Sequence, residues 1–159
     1  VKIDDLHDIN IEDLLGRDSV PANKHLLSFN IKNKVVMVTG AGGSIGSELC
    51  RQILLLKPKT LILYELSEFA LYEIDGELSD MKVSKVEILP LLGCVTNISR
   101  LRNVINRLGV QTIYHAAAYK HVPIVELNNS EGAKNNIIGT LNCAQVAINE
   151  HVETPYRVS

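Results

Sequence analysis

Cysteine is scarce in this sequence. Cys50, Cys94 and Cys143 are an odd number at wide, unpatterned spacing, which suggests neither a disulfide framework nor a zinc site and fits a reducing, cytosolic compartment. An excess of charge of one sign is also missing: 16 Lys and Arg against 18 Asp and Glu leave a formal net charge of −2, with an isoelectric point of about 6.2. Binding to nucleic acid or to an anionic membrane surface draws on accumulated Lys and Arg. No such accumulation is visible along the chain, so neither partner is expected. Long apolar runs are absent too. ILLL at 53–56 and the stretch from Ile88 to Leu92 fall far short of a membrane span, and the first residues lack the shape of a signal peptide, so a soluble chain is expected. Internal repeats and low-complexity segments are likewise missing.

What is present is enough apolar material for a core: 46% of the 159 residues are hydrophobic, about the size of one domain. Residues 1–33 show no sustained period and read as a lead-in arm, with one helical turn over IEDLLG ending at Gly16. From Lys34 the texture changes. VVMV is a continuous β-branched-rich run, the mark of a strand buried on both faces of a parallel sheet. Apolar residues at Ile45, Leu49, Ile53, Leu54 and Leu56 predict a helix that Pro58 stops. LILYE at 61–65 predicts a second strand and 67–81 a second helix. VEILPLL at 86–92 predicts a third strand whose end Pro90 obscures. Asn97 is a plausible cap for a helix through Ile98, Leu101, Ile105 and Leu108, closed by Gly109. QTIYHA is the fourth strand; a loop is expected from Ala117 to about Asn129, a long helix from Ser130 to about Glu150, and a short strand over PYRVS. Strict alternation over 34–159 predicts a Rossmann-type parallel sheet with helices on both faces.

The chemistry concentrates where strands end. Gly40, Gly43 and Gly46 occupy the turn between a buried strand and a helix, where backbone N–H groups and the helix N-terminus present partial positive charge to a phosphate. A side chain at the closest of these positions would obstruct that approach. A glycine-rich turn alone means little, but in a strand–turn–helix context it points to a nicotinamide dinucleotide. The spacing is GxxGxxG, as in short-chain dehydrogenases/reductases. Glu65 ends strand two, where a carboxylate accepts from ribose hydroxyls and favours NAD; Ser67 and Arg51 soften the site for NADP. Gly93, Cys94 and Val95 fall at the adenine edge. HAAAYKHVPIVE at 115–126 leaves strand four at the carboxyl edge of the sheet, so Lys120 faces either solvent or a cofactor ribose and substrate diphosphate. Asn135 and Asn136 sit in an otherwise apolar helix, either exposed or turned inward to order the site. His7, His25 and His151 carry no signal.

Taken together, KVVMVTGAGGSIGSELCRQIL, SEFALYEIDGEL, HAAAYKHVPIVELN and NNIIGTLN resemble the polysaccharide-biosynthesis family of nucleotide-sugar 4,6-dehydratases, extended short-chain dehydrogenases/reductases. The resemblance covers residues 34–159 and reaches DLLGR at 13–17. It implies a pyrophosphate loop of Gly40, Gly42, Gly43, Ser44, Ile45 and Gly46, and a ribose-side segment of Glu65, Leu66, Ser67 and Glu68. It further implies an adenine side at Cys94 and Val95, a nicotinamide side at Ala116, Ala117 and Ala118, a lysine touching cofactor and substrate at Lys120, and the asparagine of an NVxGT pattern at Asn136. The implied cofactor is NAD or NADP and the implied substrate a UDP-sugar such as UDP-N-acetylglucosamine, in capsule or O-antigen synthesis. A homo-oligomer is implied, as is a parent protein anchored at the inner membrane through an upstream segment, with this domain on the cytoplasmic side.

Two departures matter. The family reads GDVTD where this chain reads GCVTN, so Cys94 stands in place of an aspartate that would accept from the adenine amino group, and a thiol is a weaker acceptor. The family's catalytic residues lie in a segment beginning STDK and in a YxxxK pair. Neither occurs before Ser159, so the catalytic residues are expected beyond it and the isolated chain is expected not to turn over. A nucleotide-sugar 4-epimerase shares the cofactor loop, the HAAA-like strand end and the initial C4 oxidation, and a non-catalytic NAD(P)-binding regulatory module is the alternative from a different class.

Overall fold

The computed structural model describes residues 28–157. Within them the order is β1 (Val35–Thr39), α1 (Ser44–Leu55), β2 (Thr60–Glu65), α2 (Glu68–Asp80), β3 (Glu87–Leu92), α3 (Ile98–Leu108), β4 (Thr112–His115), α4 (Val122–Leu127), α5 (Asn129–Ala133), a π-helical turn (Lys134–Ile138), α6 (Gly139–Asn149) and β5 (Thr154–Arg157). All strand pairs are parallel and the sheet order is β3-β2-β1-β4-β5. This is the expected Rossmann-type sheet. The chain moves outward from β1 through β2 to β3, then crosses to β4 on the other side of β1. The carboxyl ends of β1 and β4 therefore flank the crevice in which open α/β sheets bind ligands.

Period-two alternation along β1 divides the core. Val36 and Val38 join Leu61 and Leu63 of β2 under α1 and α2, through Cys50, Ile53, Leu71 and Ile74. Val35 and Met37 join Ile62 and Tyr64 on the opposite face, under α3 and α6, through Leu101, Ile105, Cys143 and Val146. Every residue of β1 is buried. That is why it reads as an unbroken apolar run rather than an alternating one, and each such side chain contributes about 1.5–3 kcal/mol of burial.

Helix ends follow local chemistry. Asn97 caps α3 as expected, its side chain accepting from the Arg100 N–H at 3.0 Å. Gly109 closes α3 in the left-handed region, φ 62°. Pro90 lies inside β3 rather than ending it. Glu87 N–H donates to Lys59 O, just before β2, and Gly93 N–H to Glu65 O at its end, so even-numbered nitrogens of this edge strand point outward and Pro90 costs the ladder no bond.

Three boundaries differ from expectation. The loop from Ala117 to Asn129 contains α4, which Pro123 helps to start from the first helical turn. The long helix after it is interrupted by the π turn, although Ala133, Lys134, Ile138 and Gly139 keep right-handed helical dihedrals and the rod is continuous. Packing also begins upstream of Lys34: Ile31 is 2% exposed, and the Asn30 carbonyl accepts from Thr112 Oγ1 at 2.6 Å. The turn at Gly16, the DLLGR segment and the last two residues of PYRVS lie outside the described residues.

Candidate functional site

The glycine turn is shaped mostly by the protein's own packing. Gly40 has φ +69°, and a Cβ there would sit 2.7 Å from Ala117 Cα, so both dihedral and contact exclude a side chain. On Gly46 a Cβ would lie 1.9 Å from the Gly40 carbonyl oxygen, and on Gly42 2.5 Å from Ala70 Cβ. Gly43 meets only the Gly40 oxygen, at 3.3 Å. It borders two adjoining hollows of about 210 and 610 Å³ that share Gly42, Gly43, Ala118 and Tyr119. Helix α1 starts beside them at Ser44 with no side-chain cap and no acidic residue in its first turn. Its partial positive charge is left for an anion.

Glu65 closes the other wall. Its Oε1 accepts from the N–H groups of Leu66 (2.8 Å) and Ser67 (2.9 Å), and Oε2 accepts from Gly42 N–H at 3.0 Å. Three backbone donors thus hold the carboxylate beside the glycine turn, and Oε2 keeps acceptor capacity toward the cleft.

The β4 end forms the floor. Ala116, Ala117 and Ala118 line the smaller hollow, and Lys120 lines the larger, its Nζ donating to Ser44 Oγ at 3.0 Å. Asn136 faces the loop backbone: Oδ1 accepts from Tyr119 N–H at 2.8 Å and Nδ2 donates to Tyr119 O at 2.9 Å. Asn135, 9% exposed, donates to Asn136 Oδ1 and lines the smaller hollow. A deeper chain of bonds ties this turn to the sheet. Thr140 Oγ1 donates to Asn136 O at 2.6 Å, so it accepts from His115 Nε2–H at 3.0 Å. Nε2 therefore carries a proton, and Nδ1 of the same ring is hydrogen-bonded to Thr39 Oγ1 at 2.7 Å. The π turn, a feature frequent at functional sites, is where Asn135 and Asn136 stand.

A family model described as polysaccharide biosynthesis protein matches residues 36–159. The chain belongs to this family. The capsular polysaccharide biosynthesis protein CapD of Staphylococcus aureus is 43% identical over 147 residues, 92% of this chain and 24% of that protein. The chain thus spans about a quarter of the length of this relative. Among solved structures, Pen from Bacillus thuringiensis has a TM-score of 0.73 at 28% identity, covering 82% of this chain and 40% of its own. DesIV, a dTDP-glucose 4,6-dehydratase from Streptomyces venezuelae solved with NAD and TYD, has a TM-score of 0.60 at 23% identity, covering 76% and 37%. The second likeness shows the shared fold.

The remaining residues singled out by the family resemblance spread around the cleft. Leu66 and Cys94 line it with Glu65, and Val95, 3% exposed, closes it from below against Gly139. Cys94 Sγ lies 2.9 Å from Thr96 Oγ1. Ser67 caps α2 by accepting from Ala70 N–H, and Glu68 stands in that helix's first turn. Ile45 is 45% exposed on α1. Arg51 is held by Glu77 in a bidentate pair and by Glu48. Tyr64 was not singled out in the sequence, yet it lines the cleft, donates to Cys94 O at 3.2 Å and supports Gly93 with its ring. Burial pushes its phenol up to about 12. His115, Thr39 and Thr140 also carried no sequence signal, because a buried histidine between two threonines has no characteristic spacing. Among the described residues no group of His, Cys, Asp or Glu can hold a metal, and no helix is long and apolar enough to cross a membrane.

Proposed function

We propose that this chain is the NAD-binding part of a nucleotide-sugar 4,6-dehydratase acting on a UDP-N-acetylhexosamine in surface polysaccharide synthesis. One juxtaposition carries the reading: the uncapped start of α1, the Glu65 carboxylate and the Ala116–Ala118 strand end meet at the β1–β4 switch point. CapD's role in capsule synthesis supports the surface-polysaccharide part of the reading. In this reading the first turn of α1 holds the pyrophosphate, with Lys120 as a second cation beside Ser44. Glu65 Oε2 accepts from a ribose hydroxyl, Cys94 and Val95 flank the adenine, and the alanines let the backbone lie along the nicotinamide ribose. Bound there, the nicotinamide supplies reversible hydride acceptance from the sugar. Positioning falls to this chain. A 2′-phosphate would meet the Glu65 charge, which favours NAD over NADP.

Calorimetric titration of the chain with NAD⁺ and NADP⁺ tests the site. Binding of NAD⁺ is expected to be the tighter, and Glu65→Gln to narrow the difference; a folded chain that binds neither would refute the assignment. The reaction is tested on the protein extended to its relatives' length, with UDP-N-acetylglucosamine as substrate and mass spectrometry as readout. A product lighter by one water is expected, whereas a product of unchanged mass with C4 inverted makes the protein an epimerase.

A further inference from the structure

The edge of the sheet opposite the cleft carries a feature that the net charge conceals. Lys32, Lys57, Lys59, Lys82 and Lys85 come from three turns that lead into β1, β2 and β3, and all five are exposed. Among the described residues none of them joins an ion pair. Lys57, Lys59 and Lys85 line a shallow groove of about 460 Å³ with Asn33, Pro58 and Ser84. The acids nearby are few. Asp80 ends α2, Glu87 opens β3 and accepts from Thr60 Oγ1, and Glu153 is already paired with Lys34.

Two further observations bear on what this edge meets. Lys57, Lys82 and Lys85 have φ of 56°, 50° and 68°. A left-handed conformation strains any residue with a Cβ, and glycine would relieve it at each position; the turns keep charge at the expense of strain. Exposed apolar side chains stand at the same edge. Phe29 is 77% exposed beside Lys34, whose Nζ lies 5.6 Å from the ring centroid, and Leu55 is 60% exposed two residues before Lys57.

We propose that this edge is a docking surface for an anionic membrane. Lysines favour the negative surface potential of phospholipid headgroups, and each contributes about fivefold to partitioning. Phe29 and Leu55 gain by entering the boundary between headgroups and acyl chains. Neither a free phosphate nor a nucleic-acid backbone offers a comparable environment to an aliphatic side chain, so the pairing of lysines with apolar groups selects lipid. Because the whole chain carries a net charge of −2, the molecule apart from these lysines is net negative, which disfavours its approach to such a surface. Docked this way, the cleft at the carboxyl ends of the strands opens to water.

The test is cosedimentation of the chain with vesicles of equal parts phosphatidylglycerol and phosphatidylcholine, and with phosphatidylcholine alone. Binding is expected only to the anionic vesicles and to weaken as salt rises. The triple variant Lys57→Gly, Lys82→Gly, Lys85→Gly is expected to bind about a hundredfold more weakly while its melting temperature holds or rises. Phe29→Ser is expected to weaken binding without changing its salt dependence. Absence of binding to anionic vesicles at low salt, or full binding by the triple variant, overturns the proposal. So does equal or tighter binding of a DNA duplex, or a saturable pyrophosphate complex that the triple substitution abolishes while vesicle binding persists.

Discussion

Asn136→Ala separates the two halves of the proposed cofactor site. Two of the three bonds of the Asn136 amide go to one residue, Oδ1 accepting from Tyr119 N–H at 2.8 Å and Nδ2 donating to Tyr119 O at 2.9 Å, while Oδ1 also accepts from Asn135 Nδ2 at 3.0 Å. Each bond to Tyr119 is a net contribution of about 1 kcal/mol. Tyr119 is 46% exposed, so its freed backbone groups find water and the fold loses little; a melting-temperature drop below about 4 °C is expected. The loss falls on the placement of the 117–121 loop. If the dinucleotide requires that placement, the two bonds, about 2 kcal/mol together, correspond to about thirtyfold in NAD⁺ affinity. AMP, which reaches only the Glu65 and Cys94 side, is expected to bind the variant as it binds the parent. Asn136→Asp keeps the acceptor for Tyr119 N–H but sets a carboxylate against Tyr119 O, so it is expected to behave like the alanine. Calorimetry with both ligands is the assay. Equal weakening of AMP and NAD⁺, or no change in either, would refute the argument that Asn136 acts through the loop.

Three other outcomes follow from the same geometry. Gly46→Ala places a methyl 1.9 Å from the Gly40 carbonyl and is expected to cost at least about 2 kcal/mol, seen as a melting-temperature loss of about 5 °C or more; an unchanged melting temperature would show that the turn yields. Thiol labelling under native conditions is expected to find one reactive group, because Cys50 and Cys143 are buried and burial pushes both thiols up to about 12, whereas Cys94 is half-buried in the cleft wall. NAD⁺ should slow that labelling, and equal labelling with and without it would count against Cys94 flanking the adenine. Those two thiols, raised from 9.0, and the Tyr64 phenol, raised from 10.0 to about 12, keep protons in the folded chain that the unfolded chain releases. Their stabilisation is complete below about pH 9 and is lost as the pH rises through about 12. Urea midpoints are expected to fall across that window; a flat profile up to about pH 11 would contradict it.

Elements that bury one repeating pattern were legible before any coordinates. VVMV announced a strand covered on both faces, and Asn97 and Gly109 marked the two ends of α3 by capping chemistry alone. Helix α4 was not legible, since Val122–Leu127 is under two turns and too short for a helical period to emerge. The π turn was hidden for a different reason. Its extra residue satisfies the needs of Asn135 in the cleft wall and Asn136 on the loop, a demand made by tertiary contacts rather than by local propensity. The lysine edge is collected from turns some twenty-five residues apart, so neither net charge nor any sequence window registers it.

The glycine turn shows that a motif's spacing can have a second physical cause. Its spacing suggested positions kept bare so that a phosphate could approach. In the fold, Gly40 is bare because Ala117 passes against it, Gly46 because the Gly40 carbonyl does, and Gly42 because Ala70 does; of these glycines, Gly43 alone would place a Cβ no closer than 3.3 Å to another atom. The pattern therefore speaks first of four elements, β1, α1, α2 and the β4 loop, brought together closely enough for the backbone to line a narrow crevice. The same closeness leaves the first turn of α1 uncapped at the crevice wall, which is what the proposed anion site rests on. Substitution at Gly40, Gly42 or Gly46 should accordingly damage the fold along with the site, whereas Gly43 is the position where a side chain would test ligand approach most directly.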